Sequence, residues 1–235
     1  MVGVVSTAAP KSGDYWCFGD RFFSHSVGPL MKNLSFLRLL KGARLLKALE
    51  DKILKEGTVL PGNILKVGSF LNHQLDAKLL AEMGQEIARL YRDAGVTRIL
   101  TIESSGIAIA VMAAAAMGVP AVFAKKNKSK NLNDDVYGVT VYSYTHDREY
   151  PVVVSKDYIQ PGDCVLIVDD FLAVGNALKG LISLVEQAGA EVAGCAIAIE
   201  KGFQKGGDEL RARGVRVESL ALIDRMTDDS VVFRR

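Results

Sequence analysis

The apolar positions of this chain switch between two periods, one of about 3.6 residues and one of short unbroken runs. Leu46, Leu49, Ile53 and Leu54 recur at helical spacing and stop at Gly57. A mixed stretch, 61–74, follows. Asp76 is placed to cap a helix whose apolar face is Leu79, Leu80, Met83, Ile87, Leu90 and Tyr91, ending at Gly95. Residues 98–102 read as a short strand, 103–106 as a loop of small residues, and the Ala-rich segment to Met117 as a helix. Gly118-Val119-Pro120 turns the chain into a strand at 121–124. Residues 139–144 and 151–155 read as paired strands. Val165 to Val168 is a four-residue apolar run, the pattern of a fully buried strand. Leu178, Leu181, Ile182 and Val185 then give a helix that Gly189 stops. Strands at 191–199 and 215–223 enclose a short helix near 208–213. Such alternation predicts an α/β fold, a parallel twisted sheet flanked by helices.

The chemistry concentrates at the junction after Val168. Asp169 and Asp170 follow the buried run, and then come Ala173, Val174, Gly175, Asn176 and Ala177, mostly small, where the next helix begins. In open α/β sheets ligands bind at that edge. Free N–H groups of a helix N-terminus suit a phosphate, and small side chains let backbone approach it. Two carboxylates beside a phosphate cradle point to a ligand that also carries hydroxyls, since ionised carboxylates only accept hydrogen bonds. The segment Glu103-Ser104-Ser105-Gly106 repeats the strand, loop, helix pattern and is a second candidate anion cradle. Lys125, Lys126, Lys128 and Lys130 lie within a segment without apolar period, read as an exposed mobile loop able to close over a polyanion.

Composition narrows the partners. The chain has 235 residues, 49% of them hydrophobic, enough for one domain with a substantial core. A net charge of +2 gives no reason to expect nucleic acid. Cys17, Cys164 and Cys195 are too scattered for a disulfide framework or a metal motif, so a reducing, cytoplasmic location is expected. Residues 107–124 are an uncharged run of 18, but Gly118 and Pro120 break it, so no membrane span is expected. Residues 1–45 lack a coherent apolar period and carry scattered aromatics. They are expected to be a poorly ordered extension, with 46–235 as the functional domain.

The run Val165-Leu166-Ile167-Val168-Asp169-Asp170 with its small-residue loop resembles the phosphoribosyl pyrophosphate signature of the type I phosphoribosyltransferases. One departure is that Val174 and Ala177 stand where most of that family has Thr or Ser. The Ala-x-Gly-x-Ala form resembles the bacterial branch that acts on xanthine. So do Leu65-Lys66-Val67, the stretch from Ser69 to Gln74, that from Thr101 to Ala108, and Ile199-Glu200-Lys201-Gly202-Phe203-Gln204. The resemblance covers nearly all of 46–233. It implies a small hood over the C-terminal strand ends, built from 61–74 and part of the C-terminal region. The implied reaction is transfer of a 5-phosphoribosyl group to N9 of xanthine, giving xanthosine 5′-phosphate and pyrophosphate, with Mg²⁺ and in a homodimer. By resemblance Leu65, Asn72 and Lys201 contact the purine, and 173–177 hold the 5′-phosphate.

Bond chemistry adds roles. Cleaving C1′ from pyrophosphate builds positive charge on the ribose and negative charge on the leaving group, so electrostatic stabilisation should dominate. Asp169 and Asp170 are the candidate catalytic residues, fixing the ribose hydroxyls. Ser104, Ser105 and Gly106 would hold pyrophosphate through backbone amides, with Lys125 and Lys128 closing over it. Lys201 emerges past an apolar strand and only donates, which suits a 6-oxo purine, whereas Asn72 would read the 2-position. A rival reading is a regulator that senses phosphoribosyl pyrophosphate without catalysis; a nearer one is an enzyme preferring hypoxanthine or guanine.

Overall fold

In the computed structural model, residues 41–126, 135–143 and 148–234 are described, all within the unit Lys41–Arg235. The expectations for residues 1–40 and for Lys128 and Lys130 lie outside them. Helix α1 (Lys41–Glu56) begins ahead of the expected domain start. Strands β1 (Thr58–Leu60) and β2 (Ile64–Lys66) form a small antiparallel hairpin, and a π-helical turn, Gly68–Asn72, leads from it. Helix α2 (Ala77–Leu90) starts where Asp76 predicts, the Asp76 carboxylate accepting from Leu79 N at 3.1 Å.

Six strands build the main sheet in the order β10 (Val231–Phe233), β9 (Val217–Met226), β8 (Glu191–Lys201), β7 (Cys164–Leu172), β3 (Arg98–Ile102) and β4 (Ala121–Ala124). All neighbours are parallel except β10, an antiparallel edge strand that the three-residue run Val231-Val232-Phe233 was too short to announce. Helices α3 (Gly106–Met117), α4 (Asn176–Gln187) and α5 (Gly206–Ala212) provide the crossovers. A separate antiparallel hairpin, β5 (Val136–Ser143) and β6 (Arg148–Ser155), is longer at both arms than the pattern suggests.

The unbroken apolar run in β7 has a direct cause: the strand is covered on both faces. Leu166 and Val168 join the core under α1, α2 and α3, whereas Val165 and Ile167 join the core under α4 and the β5–β6 hairpin. The expected end of β7 at Val168 is corrected. Its ladder with β8 continues through Asp169 opposite Ile197, Phe171 opposite Ile199 and Leu172 opposite Glu200. Backbone pairing to a longer neighbour, β8, overrides the turn preference of two successive acids. The acids therefore sit inside the last turns of a rigid strand, not in a loop.

Candidate active site

The acid pair, both strand-to-helix junctions and Lys201 gather at the C-terminal ends of β3, β7 and β8. Asp169 is 5% exposed and Asp170 is half-buried. The Asp169 carboxylate accepts from the Asp170 amide at 3.0 Å. Burial first, and then the charge of Asp170, holds the Asp169 carboxyl well above its ordinary range. A carboxylate kept in such a place is costly unless something binds it.

Two helix N-termini flank the pair. Gly175, at φ 86°, hands β7 over to α4, and Gly106 opens α3. Neither helix has a side-chain cap or an acidic residue in its first turn, so no side chain competes for the leading amides, although Ile107 N of α3 donates to Ser104 O at 3.2 Å. At Gly106 no side chain fits: a Cβ there would collide with the Thr101 hydroxyl and stand 3.0 Å from Asp169 Oδ1. The Thr101 hydroxyl is itself buried without a partner. The Glu103–Ser104 peptide bond is cis. Asn176 donates from its side chain to Tyr142 O at 3.2 Å, which ties the α4 cradle to β5.

The lysine segment divides. Lys125 is not part of a free loop: its backbone exchanges two hydrogen bonds with Val153 of β6, each 2.9 Å, so the expectation of mobility is corrected at that position. Lys126, which no pattern in the sequence singles out from its neighbours, is the cation whose charge favours the ionised form of Asp169. It lies 5.7 Å above the Tyr150 ring and donates its amide to Glu103 at 2.6 Å. Burial, with Asp169 adding to it, raises the Tyr150 phenol above its ordinary value.

Lys201, at the end of β8, reaches toward the β1–β2 turn. Its ammonium donates to Asn63 O in the β1–β2 turn at 2.8 Å and stands 5.6 Å over the Phe171 ring. Burial lowers its pKa. Leu65 is 7% exposed and belongs to the core under α1, while Asn72 is exposed at the end of the π-helical turn. Lys201 and the hairpin that carries Leu65 are thus joined. Phe171, Asn63 and Tyr150 escaped the sequence reading, and Lys126 entered it only as one of the loop lysines. Of the three, only Phe171 carried a signal, as the residue that follows the acid pair.

A buried and a half-buried acid between two helix N-termini, at the edge of a mostly parallel sheet, have the chemistry to suit a phosphorylated, hydroxylated ligand. The phosphoribosyl transferase domain matches residues 66–224, and this chain belongs to that family. Among its relatives is the xanthine phosphoribosyltransferase of Limosilactobacillus reuteri (strain DSM 20016), 50% identical over 188 residues, 80% of this chain and 98% of that protein. A xanthine phosphoribosyltransferase of Bacillus cereus is 52% identical over 188 residues, 80% of this chain and 95% of its own. Among solved structures, adenine phosphoribosyltransferase from Rhodothermus marinus DSM 4252 superposes with a TM-score of 0.62 at 27% identity, covering 77% of this chain and 98% of that one.

Proposed function

We propose that this protein transfers the 5-phosphoribosyl group of phosphoribosyl pyrophosphate to N9 of xanthine, releasing pyrophosphate and forming xanthosine 5′-phosphate, a purine salvage reaction. The observation that carries the reading is Lys201, a donor-only group at the C-terminal end of β8, held over Phe171, the residue that follows the acid pair. Relatives at half identity over nearly their whole length support the same substrate. The adenine enzymes among the structural neighbours share the fold; base choice rests on the side chains at the purine end. A lysine pairs with a 6-oxo group and is left unpaired by a 6-amino group, which is how a polar pocket rejects an analogue.

The 5′-phosphate would lie on the amides of 173–177. The carboxylates of Asp169 and Asp170 would take the ribose hydroxyls and stabilise positive charge as the C1′–oxygen bond stretches. The amides of Ser104, Ser105 and Gly106, with Lys126 above them, would receive the pyrophosphate. Mg²⁺ is the proposed cofactor. Among the described residues no cluster of three or more His, Cys, Asp or Glu exists. The acid pair fits an ion carried mainly by substrate oxygens and waters, as Mg²⁺ prefers. When bound, the ion neutralises charge on the departing pyrophosphate. Pyrophosphate release with phosphoribosyl pyrophosphate, Mg²⁺ and each purine in turn tests the whole reading: turnover fastest with xanthine is expected, and ligand binding without turnover would favour a sensor.

Among the described residues no helix is long and apolar enough to cross a membrane. With phosphorylated substrates and the free cysteines Cys164 and Cys195, this supports a cytoplasmic enzyme. The chain would act as a homodimer. Helix α3 carries no charged residue, yet its Val111 is 48% exposed and Phe123 on edge strand β4 is 43% exposed. Such a surface suits a second copy. Val111→Lys is expected to shift the protein to monomer in sedimentation velocity; an unchanged dimer would move the interface elsewhere. The functional domain would be self-sufficient. A chain beginning at Lys41, which keeps α1 whole, is expected to unfold cooperatively and retain full turnover; loss of either would give 1–40 a structural role.

A further inference from the structure

Behind the cradle of 173–177 a buried carboxylate pairs with a half-buried arginine, and neither has a part in the chemistry above. Glu200, on β8, is 1% exposed. Arg211 of α5 grips it with two hydrogen bonds, Nη1 to Oε1 at 2.8 Å and Nη2 to Oε2 at 2.7 Å, and Ser219 of β9 donates its hydroxyl to Oε2. Arg211 also donates to Val217 O, from Nε at 3.3 Å and Nη2 at 3.2 Å. A Cβ on Gly207 would overlap Glu200 Oε1, so the helix lies directly against the carboxylate.

The first residue of α5, Gly206, touches the cradle. Gly206 N donates to Ala173 O at 3.1 Å. A Cβ on Gly206 would overlap Ala173 O and stand 2.6 Å from the Val174 carbonyl carbon. Lys179 of α4 and Glu209 of α5 pair at 2.8 Å, so α5 also braces the helix that supplies the cradle's amides. The strand ladder closes the circle, because Glu200 is registered opposite Leu172, the residue before Ala173. A helix of seven residues does not hold its place by itself. A pair with its carboxylate buried and its arginine half-buried is a poor source of net stability, because removing Glu200 from water costs much of what the attraction returns. What the forked pair supplies is a fixed angle and depth for α5.

We propose that Glu200 and Arg211 are positioning residues for the 5′-phosphate cradle, acting through Gly206 on the backbone of Ala173 and Val174. The proposal rests on the reading of 173–177 as the phosphate-binding loop. It predicts a selective defect. In the full chain, Glu200→Gln should raise KM for phosphoribosyl pyrophosphate about tenfold and leave KM for xanthine within about twofold. Gly206→Ala keeps the ion pair and pushes the loop, so it should produce the same split and carries the test if Glu200→Gln does not fold. Arg211→Lys, which keeps the charge but not the fork, should recover only part of the affinity. A purely structural pair would instead lower the melting temperature and the active fraction with both KM values unchanged, and that result overturns the proposal. Calorimetric binding of ribose 5-phosphate reads the cradle without turnover. Weakened binding in Glu200→Gln and Gly206→Ala supports the proposal whether or not the wild type converts xanthine; equal binding in all three proteins refutes it.

Discussion

Replacing Asp169 by asparagine is expected to lower kcat by about two orders of magnitude and, in the free enzyme, to raise the thermal midpoint rather than lower it. The two effects have one cause. Asp169 is buried at the end of β7, and burial together with Asp170 lifts its carboxyl well above the ordinary value of 3.8. A group whose folded-state pKa is raised contributes stability fully below its unfolded value and loses that contribution as pH rises through the folded value. Above that point the native protein holds an ionised carboxylate in a site that disfavours it. Asparagine is neutral and isosteric, and its Oδ1 still accepts from the Asp170 amide, so the strand end keeps its geometry. It loses the negative charge that the ribose hydroxyls and the developing positive charge require. The stability gain should therefore be largest at neutral and alkaline pH and fade toward acid pH. Melting curves across a pH series, with kcat measured on the same samples, check this. A variant as stable as wild type at every pH, or one that turns over normally, would remove Asp169 from the proposed role.

This pairing of cost and use explains what was legible in the sequence. The buried strand, the acid pair and the small-residue loop stand in direct succession, so local composition alone announces them. Asp76 as a helix cap and Gly118 as a helix stop are legible for the same reason, each being a single residue acting on its own backbone. The length of β7 was not legible, because it depends on β8 continuing alongside it as far as Glu200. Lys125 misled because its restraint is a pair of backbone bonds to Val153, and backbone bonds leave no mark on residue type. Lys126 and Tyr150 meet only because the β5–β6 hairpin folds over the sheet edge. Glu200 was visible only as part of a motif. Its partner Arg211 lies on the next helix, and nothing in the spacing says that the two side chains meet.

The purine end gives the second large effect. Lys201→Ala is expected to raise KM for xanthine roughly ten- to a hundredfold, the range set by losing one hydrogen bond from a charged donor. KM for phosphoribosyl pyrophosphate should stay within about twofold, because the ammonium faces Asn63 and Phe171 rather than either helix N-terminus. Lys201→Met keeps the stem over Phe171 and removes only the donor, so it separates charge from packing. If packing dominates, methionine restores xanthine affinity; if the donor dominates, it does not, and discrimination between xanthine and adenine collapses with it. Phe171→Leu should instead weaken every purine alike, since a ring face does not distinguish an oxo group from an amino group. Burial lowers the pKa of Lys201 below its ordinary 10.5, so the donor is lost at a less alkaline pH than an exposed lysine would allow. In wild type, KM for xanthine should rise as pH climbs through that lowered value, while Lys201→Met lacks this lysine-dependent component. Unchanged xanthine kinetics in Lys201→Ala would place the purine pocket on other residues.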